Sequence, residues 1–204
     1  MSVESFQRLS GEKRNRIIEE GIREFAEYGF DGASTNRIVK QAGISKGSLF
    51  NYFGSKDDFY LYLAHHALSR VTPLLRTKME TMPPDILTRL LQLTEAVIEI
   101  YIENPLYYRF FMGVLDSGAF HLQQKLLKKN AELFNFMDLF TGVDTSRFLL
   151  DEQATFTLIK WLFTGIKQEL FEIQAVHDDP KNLREEFAGR VKKVLKALES
   201  GIFT

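Results

Sequence analysis

Between its breakers, almost every segment of this chain sets apolar residues three and four positions apart, and none sustains the alternation of a strand. Ile18, Ile22 and Phe25, with Ile17 and Ala26 beside them, establish the pattern early. Such periodicity confines the fold to the all-α class. The breakers divide it into helices. Ser10 is placed to cap a first helix, and Gly29 and Gly32 to stop it. Ser34 or Thr35 caps a second, whose apolar face is Ile38, Val39 and Ala42, and Ala42-Gly43 ends it. Ser45 caps a third, which stops at Gly54. Ser55, with Asp58 three residues on, makes a capping signal for a fourth that runs to about Met79. After Met82-Pro83-Pro84, further helices are expected over 85–103, 105–117, 119–140, 151–175 and 180–200. Their breaks are Asn104-Pro105, Ser117-Gly118, Thr141-Gly142-Val143-Asp144 and Asp178-Asp179-Pro180. The expectation is about nine helices. A three-helix unit fills residues 1–54, and a larger bundle fills 55–204, with 55–79 as the connecting helix.

At 204 residues and 45% apolar content, the chain can bury a proper core. Its net charge of −1 proposes no partner by itself. Cysteine is absent, which removes disulfide and thiolate chemistry and fits a cytoplasmic location. The start, MSVESFQRLSGEKRNR, has no signal-peptide core, and no apolar run approaches a membrane span. Phenylalanine occurs 18 times against one tryptophan, so many rings need burial in a core, an interface or a pocket.

The stretch GISKGSLFNYFGSKDDF, residues 43–59, carries the functional signal. Two short helices joined by a Gly-containing turn, after a longer helix, form a helix-turn-helix unit. The second helix of such a unit enters the major groove by its N-terminal end, where free backbone N–H groups favour phosphate. Gly47 lets backbone approach DNA closely, although it costs a helix about 1 kcal/mol relative to alanine. From Ser34 to Lys56 there are four basic residues, Arg37, Lys40, Lys46 and Lys56, and no acid. A solvated helical face would carry the same four charges, but phosphate contacts need only such a local cationic surface.

Residues 13–60, KRNRIIEEGIREFAEYGFDGASTNRIVKQAGISKGSLFNYFGSKDDFY, resemble the DNA-binding domain of the TetR/AcrR family of bacterial transcriptional regulators. The run of FAEYGFDGAST, IVKQAGISKGSLFNYF and SKDDF carries the resemblance over nearly fifty residues, whereas the C-terminal part matches in length and helical layout alone. The resemblance implies a homodimer that binds a palindromic double-stranded DNA operator and releases it when a small ligand occupies the C-terminal domain. It also implies roles. Thr35, with Asn36 beside it, Ser45 and Lys56 would touch phosphates. Lys46 and Gly47 would sit at the groove entrance, Ser48, Phe50 and Asn51 would face bases, and Tyr52 would reach the backbone through its hydroxyl. Ile38, Ala42, Ile44, Leu49 and Phe53 would be buried. Position 50 is often tyrosine in the family, position 52 often histidine and position 39 usually small, so no operator sequence carries over. Asn51 has the groups to pair bidentately with adenine.

In the C-terminal bundle the resemblance suggests an aromatic pocket for a small lipophilic ligand, with Tyr101, Tyr108, Phe111, Met112, Phe134, Met137, Trp161 and Phe163 as candidate walls. Tyr108, Gln153 and Lys160 are the polar groups that could orient it. Rings at helical spacing suit a plain core equally. The last two helices are expected to pair with their copies in a second chain through Trp161, Phe187, Val191, Val194 and Leu198, because one recognition helix reads too few base pairs for useful specificity. No catalytic constellation, cofactor motif or metal site is expected. His65 and His66 are adjacent and point about 100° apart on a helix; His121 and His177 lack partners at ligand spacing, and His177-Asp178-Asp179 reads as a polar turn. The alternatives are an activator, a repressor that needs its ligand to bind DNA, or a small-molecule-binding bundle with a relic motif.

Overall fold

The computed structural model describes residues 3–116, 120–129, 136–146, 148–174 and 180–202. These form ten α-helices: α1 (Val3–Gln7), α2 (Gly11–Gly32), α3 (Thr35–Ala42), α4 (Lys46–Phe53), α5 (Lys56–Met79), α6 (Ile86–Glu103), α7 (Pro105–Asp116), α8 (Phe120–Lys129), α9 (Glu152–Gln174) and α10 (Pro180–Ile202), with a 3-10 turn over Phe136–Phe140 between α8 and α9. No strand occurs among the described residues, as the periodicity requires.

Two expectations need correction. No helix was expected before Ser10, yet α1 forms there. The single helix expected over 119–140 is α8 at its start and 3-10 at its end. Thr141 N–H donates to the Asp138 carbonyl and Gly142 takes φ 77°, so this end tightens into a turn. Ser117-Gly118, residues 130–135 and His177-Asp178-Asp179 lie outside the described residues. Gly29 breaks α2 as expected, at φ 66°, ψ −179°, and a last short turn follows it.

By packing, the chain divides into two compact units: residues 1–73 with 104–135, and residues 74–103 with 136–204. This division follows contacts, whereas the boundary expected at residue 54 follows function. In the first unit α7 packs along α2, and Phe110 meets the rings of Phe25 and Tyr60 at 6.3 and 5.4 Å. Helices α3 and α4 have eight residues each, too few to hold a helix alone in water. Ile38 and Leu49 anchor them, each 1% exposed and each contributing about 2 kcal/mol by burial. Pro73 lies inside α5, where its ring removes one helical hydrogen bond.

In the second unit α10 packs on α6 and on α9, and Leu90, Leu93, Ile159, Phe163, Phe187 and Val191 of these helices are buried. Glu99 holds Lys78 and Arg184 together, with Arg184 Nη2 at 3.0 Å. The Lys78 hydrogen bond, followed by both cationic charges, keeps its carboxyl below the usual glutamate range. Arg89 is buried and donates to four carbonyls: Pro83 at 2.9 Å, Met82 at 3.2 Å, Leu139 at 3.4 Å and Thr141 at 2.6 Å.

Candidate nucleic-acid interface

Local capping sets the ends of the short helices. Ser34 Oγ accepts from Arg37 N–H at 3.5 Å, Ser45 Oγ from Ser48 N–H at 3.0 Å, and Ser55 Oγ from Asp58 N–H at 3.0 Å while donating to Asp58 Oδ2 at 2.6 Å. Each removes one of the orphan donors of a helix start. Gly43, at φ 68°, ends α3 in the left-handed conformation that glycine adopts without strain, and Ile44 N–H donates back to Val39 O. The turn between α3 and α4 is therefore closed by main-chain and serine hydrogen bonds. One side of α4 is committed to the core: Leu49 and Phe53 are buried, as are Ile38, Val39 and Ala42 of α3, with Ile44 packed against them.

The other side faces outward. None of the ten residues expected at DNA is buried. Asn36, Ser45, Lys46, Gly47 and Asn51 are exposed, and Thr35, Ser48, Phe50, Tyr52 and Lys56 are half-buried. Lys46 Nζ lies 5.9 Å from the Phe50 ring centre, one helical turn away on the same face. Ser45 and Ser48 join through their hydroxyls at 2.8 Å, so both are oriented before any ligand arrives. Lys56 Nζ sits 4.8 Å over the Phe30 ring and donates to Asp31 O at 3.5 Å, which ties the start of α5 to the end of α2. A Cβ built on Gly47 would meet only Ser45 Oγ, at 3.8 Å, and its φ is not positive. Nothing inside the chain requires glycine there.

Arg37 corrects the charge argument. Its Nε donates to Glu24 Oε1 at 2.8 Å, its Nη2 pairs with the same oxygen and donates to Gly32 O at 3.0 Å, and its guanidinium lies 4.3 Å over the Tyr28 ring. Glu24 is 8% exposed and also accepts from Ser34 N–H at 2.7 Å. The hydrogen bond to Glu24 raises the Arg37 pKa further. One of the four basic residues of the window is thus committed to joining α3 to α2, by an acid outside that window. The signal available was that Glu24 continues the Ile17, Gly21 register of buried positions on α2. A cleft of about 380 Å³ lies beside this cluster, lined by Glu20, Arg23, Glu27, Tyr28 and Gln41 among others. Its charged walls are unlike the apolar pocket expected in the C-terminal bundle.

The expected pocket residues are scattered. Tyr108 is buried in the first unit. In the second, Phe163 is buried, Met137 is 45% exposed and Trp161 67% exposed. Gln153 and Lys160 are exposed. Phe134 and the side chains of Tyr101, Phe111 and Met112 lie outside the described residues, as does the side chain of His121. Of the expected dimer residues, Phe187 and Val191 are buried within the chain, Leu198 is half-buried, and Val194 is 43% exposed. Among the described residues, no group of three or more metal-ligating side chains converges, and no helix is long and apolar enough to cross a membrane.

A family model described as bacterial regulatory proteins, tetR family, matches residues 17–63, from within α2 into the first turns of α5. The transcriptional repressor AcnR of Corynebacterium glutamicum is 36% identical over 62 residues, 30% of this chain and 33% of that protein. The matched part thus spans about a third of that relative's length. The transcriptional regulator PksA of Bacillus subtilis is 32% identical over 148 residues, covering 62% of this chain and 72% of that protein. A solved TetR family regulator from Chloroflexus aurantiacus superimposes with a TM-score of 0.70 and 28% identity over 98% of both chains.

Proposed function

Because this chain belongs to the TetR family of bacterial regulatory proteins, and is a DNA-binding transcriptional regulator by that membership, we propose that it is a repressor. As a homodimer it binds a palindromic operator and is released by a small lipophilic ligand held in its C-terminal helices. The observation that carries the DNA face is the outward side of α4. Lys46, Gly47 and Asn51 are exposed, and the glycine has no internal cause. The repressor sign is supported by the similarity to AcnR.

In this reading, three helix starts, at Thr35, Lys46 and Lys56, offer backbone N–H groups to phosphates on either side of one groove. Thr35, Asn36, Ser45, Tyr52 and Lys56 contact the backbone. Lys46, Ser48, Phe50 and Asn51 meet base edges, with Gly47 admitting the duplex at close range. Trp161 and Val194 are the exposed apolar groups that a second copy would cover, while Leu198 remains half-open to it. The two copies of α4 then stand about 34–36 Å apart, one turn of DNA. Ligand acts by favouring a dimer in which that spacing is wrong. Such control requires unequal affinity for the two states and is typically worth about 1–3 kcal/mol.

Selection on random duplex DNA with the full-length chain, followed by titration at several salt concentrations, tests this. Lys46→Ala and Asn51→Ala should each weaken binding to the selected duplex about tenfold without lowering Tm. Lys56→Ala should weaken binding to all duplexes alike and reduce the salt slope by about one. Wild-type binding by all three variants would remove α4 from the interface.

A further inference from the structure

The segment before Ser10 forms α1, and its one aromatic side chain, Phe6, is wholly enclosed, whereas Val3 stays exposed. Phe6 is 0% exposed, with ring centres 5.6 Å from Tyr52, 4.8 Å from Phe53 and 5.4 Å from Tyr62. Helix α1 packs on α4, and Arg14 Nη1 ties it back by donating to Gln7 O at 2.9 Å. Leu9, whose N–H donates to Phe6 O at 3.1 Å, packs against the same core. Five residues cannot sustain a helix in water, so α1 exists because it is docked.

The two rings that Phe6 touches on α4 have unequal need of it. Phe53 is buried and already lies against Phe59 at 4.6 Å and Tyr62 at 5.0 Å. Tyr52 is half-buried, and among the described ring contacts it meets its chain neighbour Phe53 and, from another element, Phe6. Without Phe6 the Tyr52 ring keeps no ring partner beyond its own neighbour in that set. A side chain held in its bound rotamer loses less freedom on binding than one that must first be ordered.

We propose that α1 is a brace for the DNA-reading helix and that Phe6 is a positioning residue, holding the Tyr52 ring so that its hydroxyl meets a DNA phosphate. The proposal rests on the reading of α4 as the DNA face. It makes residues 3–9 part of the binding machinery through α4, and it gives the aromatic cluster around Phe6 a task beyond packing.

A double-mutant cycle on the full-length chain tests it, using a duplex selected by the wild type and a temperature well below every variant's Tm. Tyr52→Phe, which removes the hydroxyl alone, should bind about tenfold more weakly. Phe6→Leu should bind several-fold more weakly, and the double variant no more weakly than Tyr52→Phe. If the two losses multiply, or if either single variant binds as wild type, Phe6 does not act through Tyr52 and the proposal falls. Lys46→Ala separates the two ideas. If it weakens binding while the cycle fails, α4 still reads DNA and only the brace is wrong; if neither responds, the DNA face itself is wrong. Should Phe6→Leu fold poorly, Phe6→Met with relaxation of a carbon-labelled Tyr52 ring gives an independent reading. Greater fast ring motion than in the wild type is expected, and unchanged motion overturns the brace.

Discussion

Gly21 and Gly47 stand in the same compact unit, both inside helices and neither at positive φ, yet their surroundings are opposite. A Cβ on Gly21 would lie 2.6 Å from Phe59 Cζ and 2.7 Å from Leu63 Cδ1, two side chains with no exposed surface. That glycine is demanded from within, where α5 side chains press onto α2. A Cβ on Gly47 would touch one serine oxygen at ordinary distance. On the proposed reading its demand comes from DNA, outside the chain. The same contrast divides the side chains of α3 and α4: Ile38, Leu49 and Phe53 are fixed by the core, and Lys46 and Asn51 have no such employment. A residue's tolerance to change thus depends on which of the two surroundings constrains it.

Substitutions can break this contrast. Gly21→Val should cost about 2–3 kcal/mol of stability by overpacking, read from urea denaturation, with the folded fraction still binding DNA normally. A fully stable Gly21→Val would show that α2 and α5 are not pressed together there. Gly47→Ala should leave stability unchanged or raise it by up to about 1 kcal/mol, while affinity for the selected duplex falls roughly fivefold. If that variant binds DNA normally, the outward demand on this position is refuted. The smallest effect concerns an inward group that titrates. Burial, then Arg70, His65 and Arg14, hold the half-buried His66 imidazole below its ordinary value of 6.5, and the Tyr107 ring lies 6.1 Å away. The unfolded chain therefore takes up a proton that the folded chain resists, so stability present above about pH 6.5 is lost as pH falls through the folded value. Tm should drop by a few degrees on acidification, and His66→Gln should flatten that slope.

What could be read from the sequence was what closes over one turn. Ser10, Ser34, Ser45 and Ser55 each cap by reaching three residues ahead; three of them were legible in order, and the structure chooses Ser34 where the sequence left Ser34 or Thr35. Arg37 was misread because its partner Glu24 lies thirteen residues back. Phe6 was passed over because Val3, Phe6 and Leu9, although three apart, span too short a stretch before Ser10 to declare a helix that only docking stabilises. The 119–140 stretch kept helical spacing in its aromatic residues, but spacing does not distinguish an α turn from the tighter 3-10 turn that Gly142 terminates. On α10, Phe187, Val191, Val194 and Leu198 form one stripe in sequence. The fold spends the first two within the chain and leaves Val194 open, a division set by neighbours that periodicity does not name.

Arg89 has a consequence of another kind. Everything it grips is peptide oxygen, contributed by Met82, Pro83, Leu139 and Thr141. Main-chain oxygens are the same whatever residue bears them, so the grip itself places no demand on those four side chains, although Leu139 is held by its own burial. The guanidinium has no such latitude: lysine would bring three donors to a place using four, and a neutral side chain would leave irregular backbone stranded away from water. A lineage could therefore remodel the exposed side chains of both loops around one fixed arginine.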